Sequence, residues 1–193
     1  MKLIVGLGNV GAEYAATRHN VGFQVAQLLA ERHKIRLGTR YPAKGRLLGI
    51  VGDGQIGGAA VRLLLPQTMM NASGDSLADR EAWGVSLDEL LIVCDDVNLP
   101  LGALRMRPQG SAGGHHGLAS CLAALQTEAI ARLRVGVAGE PLPSDLTEYV
   151  VSEFRPGERP VIRRAIDQAA EACERWATDG LQAAMNRMHL RER

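Results

Sequence analysis

Short apolar runs alternate with helix-patterned segments along most of the chain, and this alternation constrains the fold more than any other feature. The runs KLIV, RLLGIV, AAVRLLL, LLIVC, ALRMR and LRVGV are typical of strands. Between them, VGFQVAQLLAERH has apolar residues at helical spacing, and NASGDSLADREAW and LASCLAAL each indicate a further helix. This order predicts an α/β protein, a three-layer sandwich with a mixed, largely parallel central sheet flanked by helices.

Turn and breaker residues set the limits of these elements. Pro66 ends AAVRLLL, and GDGQIGG predicts the turn before that strand. DDVNLPLG predicts a turn after LLIVC, and QGSAGGHHG a loop before the helix at LASCLAAL. Pro160 suits the first turn of a C-terminal helix, which Thr178-Asp179-Gly180 breaks before a last short helix.

Length and composition favour a single domain covering residues 1–193. With 46% hydrophobic residues, the chain is long enough for one substantial core. No apolar run approaches the roughly 20 residues of a membrane span, and the start has no signal-peptide pattern, so we expect a soluble, cytoplasmic protein. The three cysteines, Cys94, Cys121 and Cys173, are widely spaced and are expected in the core rather than in a disulfide framework or zinc site.

The opening glycines form a G-x-G-x-x-G pattern at Gly6, Gly8 and Gly11. Dinucleotide binding also requires a helix that opens on the third glycine and an acidic residue that ends a second strand. Here the helix begins only near Val21, and Glu31 lies inside it. We interpret the glycines as a sharp turn after the first strand. Nucleotide binding is the less favoured alternative.

Two pairs of arginines have strand spacing. Arg105 and Arg107 lie two residues apart, as do Arg132 and Arg134, so each pair is expected on one face of a strand. A solvated surface position is the simplest interpretation of any one of them. In a chain of net charge +1, however, two pairs beside glycine-rich loops indicate a local anion site.

Polar residues follow several predicted strands, where ligands bind in open α/β sheets. His19 precedes a predicted helix, whose positive end keeps the imidazole available as a base, and Asp95 is its candidate carboxylate partner. A capping or packing role is the alternative for His19. The pair His115 and His116 lacks a matching Cys or His cluster, so no metal is expected. The predicted site draws on Asn9, Tyr14, Thr17, Arg18, His19, Asn71, Asp95 and Asp96.

Several sequence blocks resemble, in order, those of the bacterial peptidyl-tRNA hydrolase family. They are GLGNVGAEYAATRHNVGF, TMMNASG, DDVNLPLG, GSAGGHHGL and RLRVGV, and the similarity runs from Lys2 to about Met188. The resemblance implies an esterase that cleaves the bond between peptide and tRNA in peptidyl-tRNA and so releases tRNA for reuse in translation. It also implies a monomer that needs no cofactor, metal or obligate protein partner.

The resemblance assigns roles to individual residues. His19 matches a general base that activates water, Asp95 its acidic partner, and Asn9 a residue that distinguishes N-blocked from free aminoacyl groups. Four residues match positions that contact the peptidyl-tRNA end: Tyr14, Met69, Asn71 and His116. Two arginines match positions that hold tRNA phosphate: Arg107 and Arg134.

The chain departs from the family pattern at three of these blocks. Val10 replaces a proline, Met69 an aromatic residue and His116 an asparagine. The last change exchanges an amide for a ring that can protonate, which bears on substrate affinity. A basic residue expected after RLRVGV also has no match in AGEPLPSDL.

Two further hypotheses concern the same residues. Chloroplast relatives of the family act in group II intron splicing, so a non-catalytic RNA-binding protein on this scaffold is the alternative function. Retention of His19, Asp95, Asn9 and Asn71 favours the enzyme.

The loop at 109–117 is rich in glycine and is a candidate mobile lid.

Overall fold

A single mixed sheet of seven strands organises the protein. The computed structural model describes residues 1–43, 46–78, 80–81 and 83–191. The strands are β1 (Lys2–Gly6), β2 (Thr39–Ala43), β3 (Arg46–Ile56), β4 (Ala59–Pro66), β5 (Leu90–Pro100), β6 (Leu104–Arg107) and β7 (Ala131–Ala138), in the order β2-β3-β4-β1-β5-β7-β6. The helices are α1 (Val21–Arg32), α2 (His116–Leu125), α3 (Leu146–Val150), α4 (Arg159–Asp179) and α5 (Leu181–Arg191).

The centre of the sheet is parallel and its margins are antiparallel. Strand β1 runs parallel to β4 and β5, and β5 runs parallel to β7. The β2–β3, β3–β4 and β6–β7 pairs are antiparallel. The carboxyl ends of β1, β4, β5 and β7 therefore meet at one edge of the sheet, where the polar residues were expected.

Helices cover both faces of the sheet, which confirms the three-layer α/β sandwich. Ile4 of β1 packs into a core formed with α1 and α4, whereas Leu3 and Val5 pack on the opposite side with α2. This alternation follows the two-residue period of a strand. Helix α4 has Pro160 in its first turn and ends before Gly180, whose φ is 86°, as predicted.

The opening glycines let α1 lie directly on the end of β1. A Cβ atom at Gly6 would collide with the carbonyl of Gly22 in α1, and one at Gly22 would collide with the backbone of Leu7. A Cβ atom at Gly8 would overlap the ring of Phe23. Glycine is therefore needed at positions 6 and 8 because α1 packs closely against the end of β1.

Two predicted turns are shorter than expected. Strand β3 continues through most of GDGQIGG, which leaves only Gly57 and Gly58 as the turn. Strand β5 likewise continues to Pro100 through DDVNLP, where a turn was predicted. Pairing with β7 explains the second error, because after a register shift Pro100 pairs with Ala138.

The predicted helix at NASGDSLADREAW is also wrong in length and type. The segment forms a 3₁₀ helix over Met70–Leu77, followed by turns; residues 79 and 82 lie outside the described part of the chain. Ser73 and Ser76 bond through their hydroxyls to carbonyls three residues earlier. Such local bonds compete with a regular α-helix. Gly74 packs against the backbone of α2, where a side chain would not fit.

The structure also bears on the cysteines and on membrane-spanning helices. The three cysteines are buried, in β5, α2 and α4, as expected. In the described residues, no helix has both the length and the apolar character needed to span a membrane.

Candidate active site

A cavity of about 480 Å³ opens where the carboxyl ends of the central strands meet. Seven of the nine residues that the sequence assigned to the site line this cavity: Asn9, His19, Met69, Asn71, Asp95, His116 and Arg134. The other two are placed elsewhere. Tyr14 is half-buried at the end of a short 3₁₀ helix, and Arg107 is exposed on the edge strand β6.

His19 is bonded to the carboxylate of Asp95. The histidine lies in a buried 3₁₀ turn, Arg18–Asn20, immediately before α1, and Asp95 lies in β5 with 2% of its surface exposed. His19 Nδ1 is 2.8 Å from Asp95 Oδ1. The carboxylate can only accept, so Nδ1 carries the hydrogen and Nε2 keeps its lone pair. A histidine held in this way can take a proton from water.

A second histidine, His115, binds the same carboxylate oxygen. Its Nε2 lies 2.9 Å from Asp95 Oδ1, and its ring centroid lies 4.8 Å from that of His19. The backbone N–H of Leu118 donates to His115 Nδ1 at 3.1 Å, so His115 caps α2. From this network we assign the hydrogen to His115 Nε2, which donates to Asp95.

His116, not His115, is the histidine of this pair that was predicted from the sequence to lie in the site. His116 is the exposed first residue of α2 and lines the cavity without touching Asp95. The available signal was positional, because a residue between a glycine-rich loop and a helix is a candidate N-cap. Histidine is not a preferred N-cap residue, so this position alone did not indicate that His115 has that role.

The cluster of His19, Asp95 and His115 also has the composition of a metal site, with ligand atoms within 4.8 Å of one another. Metal binding requires a lone pair on the ligating nitrogen. His115 Nδ1 already accepts a backbone hydrogen, so its Nε2 carries a hydrogen and faces Asp95 as a donor. The donor set therefore fits a hydrogen-bonded cluster better than a metal centre.

The two histidines control the ionisation of Asp95. Burial by itself would raise the pKa of this carboxyl. His115 and then His19 act in the opposite direction, through charge and hydrogen bonds, and hold the pKa of Asp95 well below its ordinary value. Asp95 is therefore an anion at neutral pH, which favours a proton on His19 once the base has acted.

Two asparagines lie beside the base and contact each other. Asn20 Oδ1 accepts from the backbone N–H of Asn9 at 2.8 Å, and Asn20 Nδ2 donates to the Asn9 carbonyl at 2.9 Å. Asn9 Oδ1 accepts from the backbone N–H of Met70 at 2.9 Å. The loop after β1 is thus fixed both to the histidine turn and to the segment after β4.

Arg18 anchors the turn that carries His19. Its guanidinium lies over the rings of Tyr149 and Phe154, 4.3 and 4.7 Å from their centroids. It also donates to Glu158 at 2.6 Å, in a pair whose arginine is almost fully buried. These contacts tie the base to the start of α4 and to α3, which forms part of the cavity wall.

Arg134 lines the cavity but already has an anionic partner. It donates to Asp96 Oδ2 at 3.1 Å and to the carbonyl of Ser111 at 2.7 Å. A phosphate that binds Arg134 therefore has to share its guanidinium group with the carboxylate of Asp96. Asp96 also accepts from the backbone N–H of Asn98 at 2.8 Å. Hydrogen bonds therefore join Asn98, Asp96, Arg134 and Ser111 along this wall of the cavity.

The neighbouring arginine, Arg132, is fully buried, with 0% of its surface exposed. Its guanidinium donates to four backbone carbonyls, those of Ile130, Gly110, Ser111 and Glu128. These contacts fix the beginning of the glycine-rich loop that leads to His115. The prediction that residues 109–117 form a mobile lid stays a prediction, with Gly110 and Ser111 as the anchored end.

The three departures from the family pattern lie at the surface around the cavity. Met69, on the rim, is 54% exposed, and Val10 is 41% exposed in the loop that follows β1. His116 is exposed beside the cavity. None of the three replaces a group that binds Asp95 or His19.

The site has a base but no activated side-chain nucleophile among the residues that line the cavity. Cys94 is the thiol that lines it, and burial, together with the charge of Asp95, raises the pKa of this thiol. A thiol that stays protonated is a poor nucleophile. The α/β fold and the His19–Asp95 pair therefore have the arrangement of a hydrolase that has a histidine as its candidate base and no side-chain nucleophile.

Comparison with known families identifies the kind of hydrolase. A family model described as peptidyl-tRNA hydrolase matches residues 3–193, and the chain belongs to that family. Two relatives named peptidyl-tRNA hydrolase are similar over nearly their whole length. One from Lachnoclostridium phytofermentans is 40% identical over 100% of this chain and 98% of its own. One from Halalkalibacterium halodurans is 43% identical over 96% of this chain and 98% of its own.

A solved structure agrees with this assignment. The crystal structure of peptidyl-tRNA hydrolase from Acinetobacter baumannii superposes with a TM-score of 0.88 at 33% identity. The match covers 97% of this chain and 94% of that one. The resemblance noted in the sequence is therefore confirmed at the level of family and fold.

Proposed function

We propose that this chain hydrolyses the ester that joins a peptide, or an N-blocked aminoacyl group, to tRNA. Membership of the family and the relatives' names support the reaction. The observation that carries it is the 2.8 Å contact between His19 and Asp95 in an open cavity, because that contact leaves His19 Nε2 free to act as a base.

The proposed reaction uses water as the nucleophile. His19 Nε2 takes a proton as the water oxygen bonds to the ester carbonyl carbon, and the anion of Asp95 stabilises the resulting imidazolium. When the tetrahedral intermediate collapses, the bond from carbon to the ribose oxygen breaks. His19 returns its proton to that oxygen, and free tRNA and the peptide acid leave. No metal takes part in these steps.

The remaining site residues have supporting roles in this proposal. Asn9 offers a side-chain donor to the acyl group. Around the cavity, Met69, Asn71 and His116 contact the end of the substrate, and Arg134 lies within reach of a phosphate. Tyr14 and Arg107 lie outside the cavity; in this proposal Tyr14 contacts the peptidyl-tRNA end and Arg107 holds a tRNA phosphate. As further proposals, residues 1–193 act as one domain, as a monomer and in the cytoplasm.

A hydrolysis assay tests the proposal. Release of tRNA from N-acetyl-aminoacyl-tRNA is compared with release from the unblocked aminoacyl-tRNA, with a chelator present. We expect selective hydrolysis of the blocked substrate by the wild type. His19→Ala is expected to lower kcat by about 10²–10⁴, the usual contribution of a positioned general base.

The chain offers a matched control for this substitution. His33 also bonds to a carboxylate, with Nε2 2.9 Å from Glu174, but it lies at the end of α1, away from the cavity. His33→Ala should leave kcat within about twofold, as expected of a change outside the site. RNA binding without turnover by the wild type would reject the esterase and support the non-catalytic RNA-binding alternative.

A further inference from the structure

The side chain of Asn20 holds the backbone of Asn9 by both of its polar groups. The backbone N–H of Asn9 donates to Asn20 Oδ1 at 2.8 Å, and the backbone carbonyl of Asn9 accepts from Asn20 Nδ2 at 2.9 Å. These contacts also settle the orientation of the Asn20 amide, since its oxygen must face an N–H and its nitrogen a carbonyl. Asn20 is 2% exposed and has no solvent alternative to this arrangement.

Because of this contact, helix α1 has no side-chain hydrogen bond at its N-cap. Asn20 is the N-cap residue of α1, yet its side chain makes no hydrogen bond to the helix. Asparagine is among the best N-cap residues because its side-chain oxygen normally accepts a helix N–H. Here that oxygen accepts from Asn9 instead, so the side chain serves the loop after β1 and not the helix.

Holding Asn9 in this way also fixes its side chain. Asn9 Oδ1 accepts from Met70 N–H at 2.9 Å, and Asn9 lines the cavity. The nitrogen on the other branch of the amide, Nδ2, binds no acceptor among the described residues. Its hydrogens are therefore available to a group in the cavity.

We propose that Asn20 is a positioning residue that sets the preference for N-blocked over free aminoacyl groups, by holding the Asn9 donor in place. A blocked group carries an amide carbonyl, which can accept from Asn9 Nδ2. A free aminoacyl group carries an ammonium at neutral pH, which only donates and leaves the Asn9 donor without a partner. This inference rests on the proposed esterase function.

Asn20→Ser is the sharpest test. Serine keeps a side chain that caps helices well and adds no charge beside His19, but it cannot hold the N–H and carbonyl of Asn9 together. The quantity measured is the ratio of kcat/KM for N-acetyl-aminoacyl-tRNA to kcat/KM for unblocked aminoacyl-tRNA. We expect this ratio to fall about tenfold, the scale of one hydrogen bond.

A second variant separates the two contacts. Asn20→Asp keeps an acceptor for the Asn9 N–H but replaces the donor to the Asn9 carbonyl by an oxygen. We expect a smaller fall in the ratio than in Asn20→Ser, because the contact to the Asn9 N–H remains. Asn186→Asp makes the same chemical change in an exposed position of α5, away from the cavity, and should leave the ratio unchanged.

A double variant tests whether Asn20 acts through Asn9. Asn9→Ala removes the donor, so adding Asn20→Ser to it should change the ratio no further. An additional loss in the double variant, or an equal loss of activity on both substrates in Asn20→Ser, would reduce Asn20 to a structural residue. Retention of the wild-type ratio in folded Asn20→Ser would overturn the inference while leaving the esterase proposal intact. A wild type without turnover on either substrate would overturn both.

Discussion

Strands β6 and β7 carry arginine pairs with the same spacing, yet the two pairs occupy opposite environments. In the antiparallel register, Arg105 lies opposite Arg134 and Arg107 lies opposite Arg132, so all four project from one face of the sheet. Arg105 and Arg107 are exposed, whereas Arg132 is fully buried and Arg134 is largely covered.

The difference arises from what covers each strand. Strand β6 is the edge of the sheet, whereas β7 lies between β5 and β6. The loop that leads to His115 crosses β7 and offers its carbonyls to Arg132 and Arg134. Burial lowers the pKa of Arg132, and the charge of Arg134 lowers it further. The same spacing of arginines therefore stabilises a loop in the case of β7, whereas it leaves both side chains exposed to solvent in the case of β6.

The largest difference between the two strands is expected in stability. Arg132→Met leaves four backbone carbonyls without their donor, one in a buried and three in partly buried contacts. Each buried group left unsatisfied costs about 1–3 kcal/mol. Because loop carbonyls can partly take up water, we expect the free energy of unfolding to fall by about 3 kcal/mol in total. Urea denaturation followed by circular dichroism measures the loss.

The matched control is the residue directly opposite. Arg107→Met removes an exposed side chain of the same type, so the expected loss is below about 0.5 kcal/mol. Similar losses in the two variants would show that burial of Arg132 has no energetic consequence, and the contrast between the strands would fail.

A smaller effect, on activity, is expected for Arg134, which is partly covered by the loop and also lines the cavity. Arg134→Gln removes the partner of Asp96 and a donor to the loop, and we expect kcat/KM for N-acetyl-aminoacyl-tRNA to fall about tenfold. The measurement is a double-mutant cycle with Asp96→Asn. A coupling energy of about 1 kcal/mol in the transition state is expected if Arg134 acts partly through Asp96.

Additive effects in that cycle would have a different meaning. They would show that Arg134 acts on the substrate independently of Asp96. The structural contrast would then extend only to Arg132, and Arg134 would group functionally with the exposed arginines of β6.

The smallest effect is expected for Arg107, and it should appear in tRNA binding alone. Removing one phosphate contact lowers the salt dependence of binding by about one unit in the slope of log K against log salt. Fluorescence anisotropy with labelled tRNA at several salt concentrations measures this slope for Arg107→Gln. Arg164→Gln, an exposed arginine of α4 on the other face of the sheet, should leave it unchanged. An unchanged slope in Arg107→Gln would remove that residue from the RNA surface.

Much of the fold could be predicted because its central strands are short and apolar. The runs at β1, β4, β5 and β7 were recognised, and α1 begins at Val21 as its stripe indicated. Strand β2 was missed because TRYPA contains a proline and few apolar residues. An edge strand tolerates proline, since one side of its backbone needs no partner.

The site was predicted less completely, for reasons of geometry. His19 and Asp95 could be paired from strand ends, since parallel strands converge at one edge. His115 was recognisable only from the bond that its ring accepts from Leu118, which sequence spacing does not reveal. Asn20 was hidden for a related reason, because an asparagine before a helix is ordinarily a cap.

The burial of all three thiols makes the protein suitable for site-specific labelling. Burial raises the pKa of Cys121 to about 12, and it raises those of Cys94 and Cys173 as well. Maleimide reagents attack accessible thiolates, so these three positions are protected without any substitution. A single cysteine introduced at an exposed position such as Leu142 can therefore carry a fluorophore on an otherwise unmodified chain.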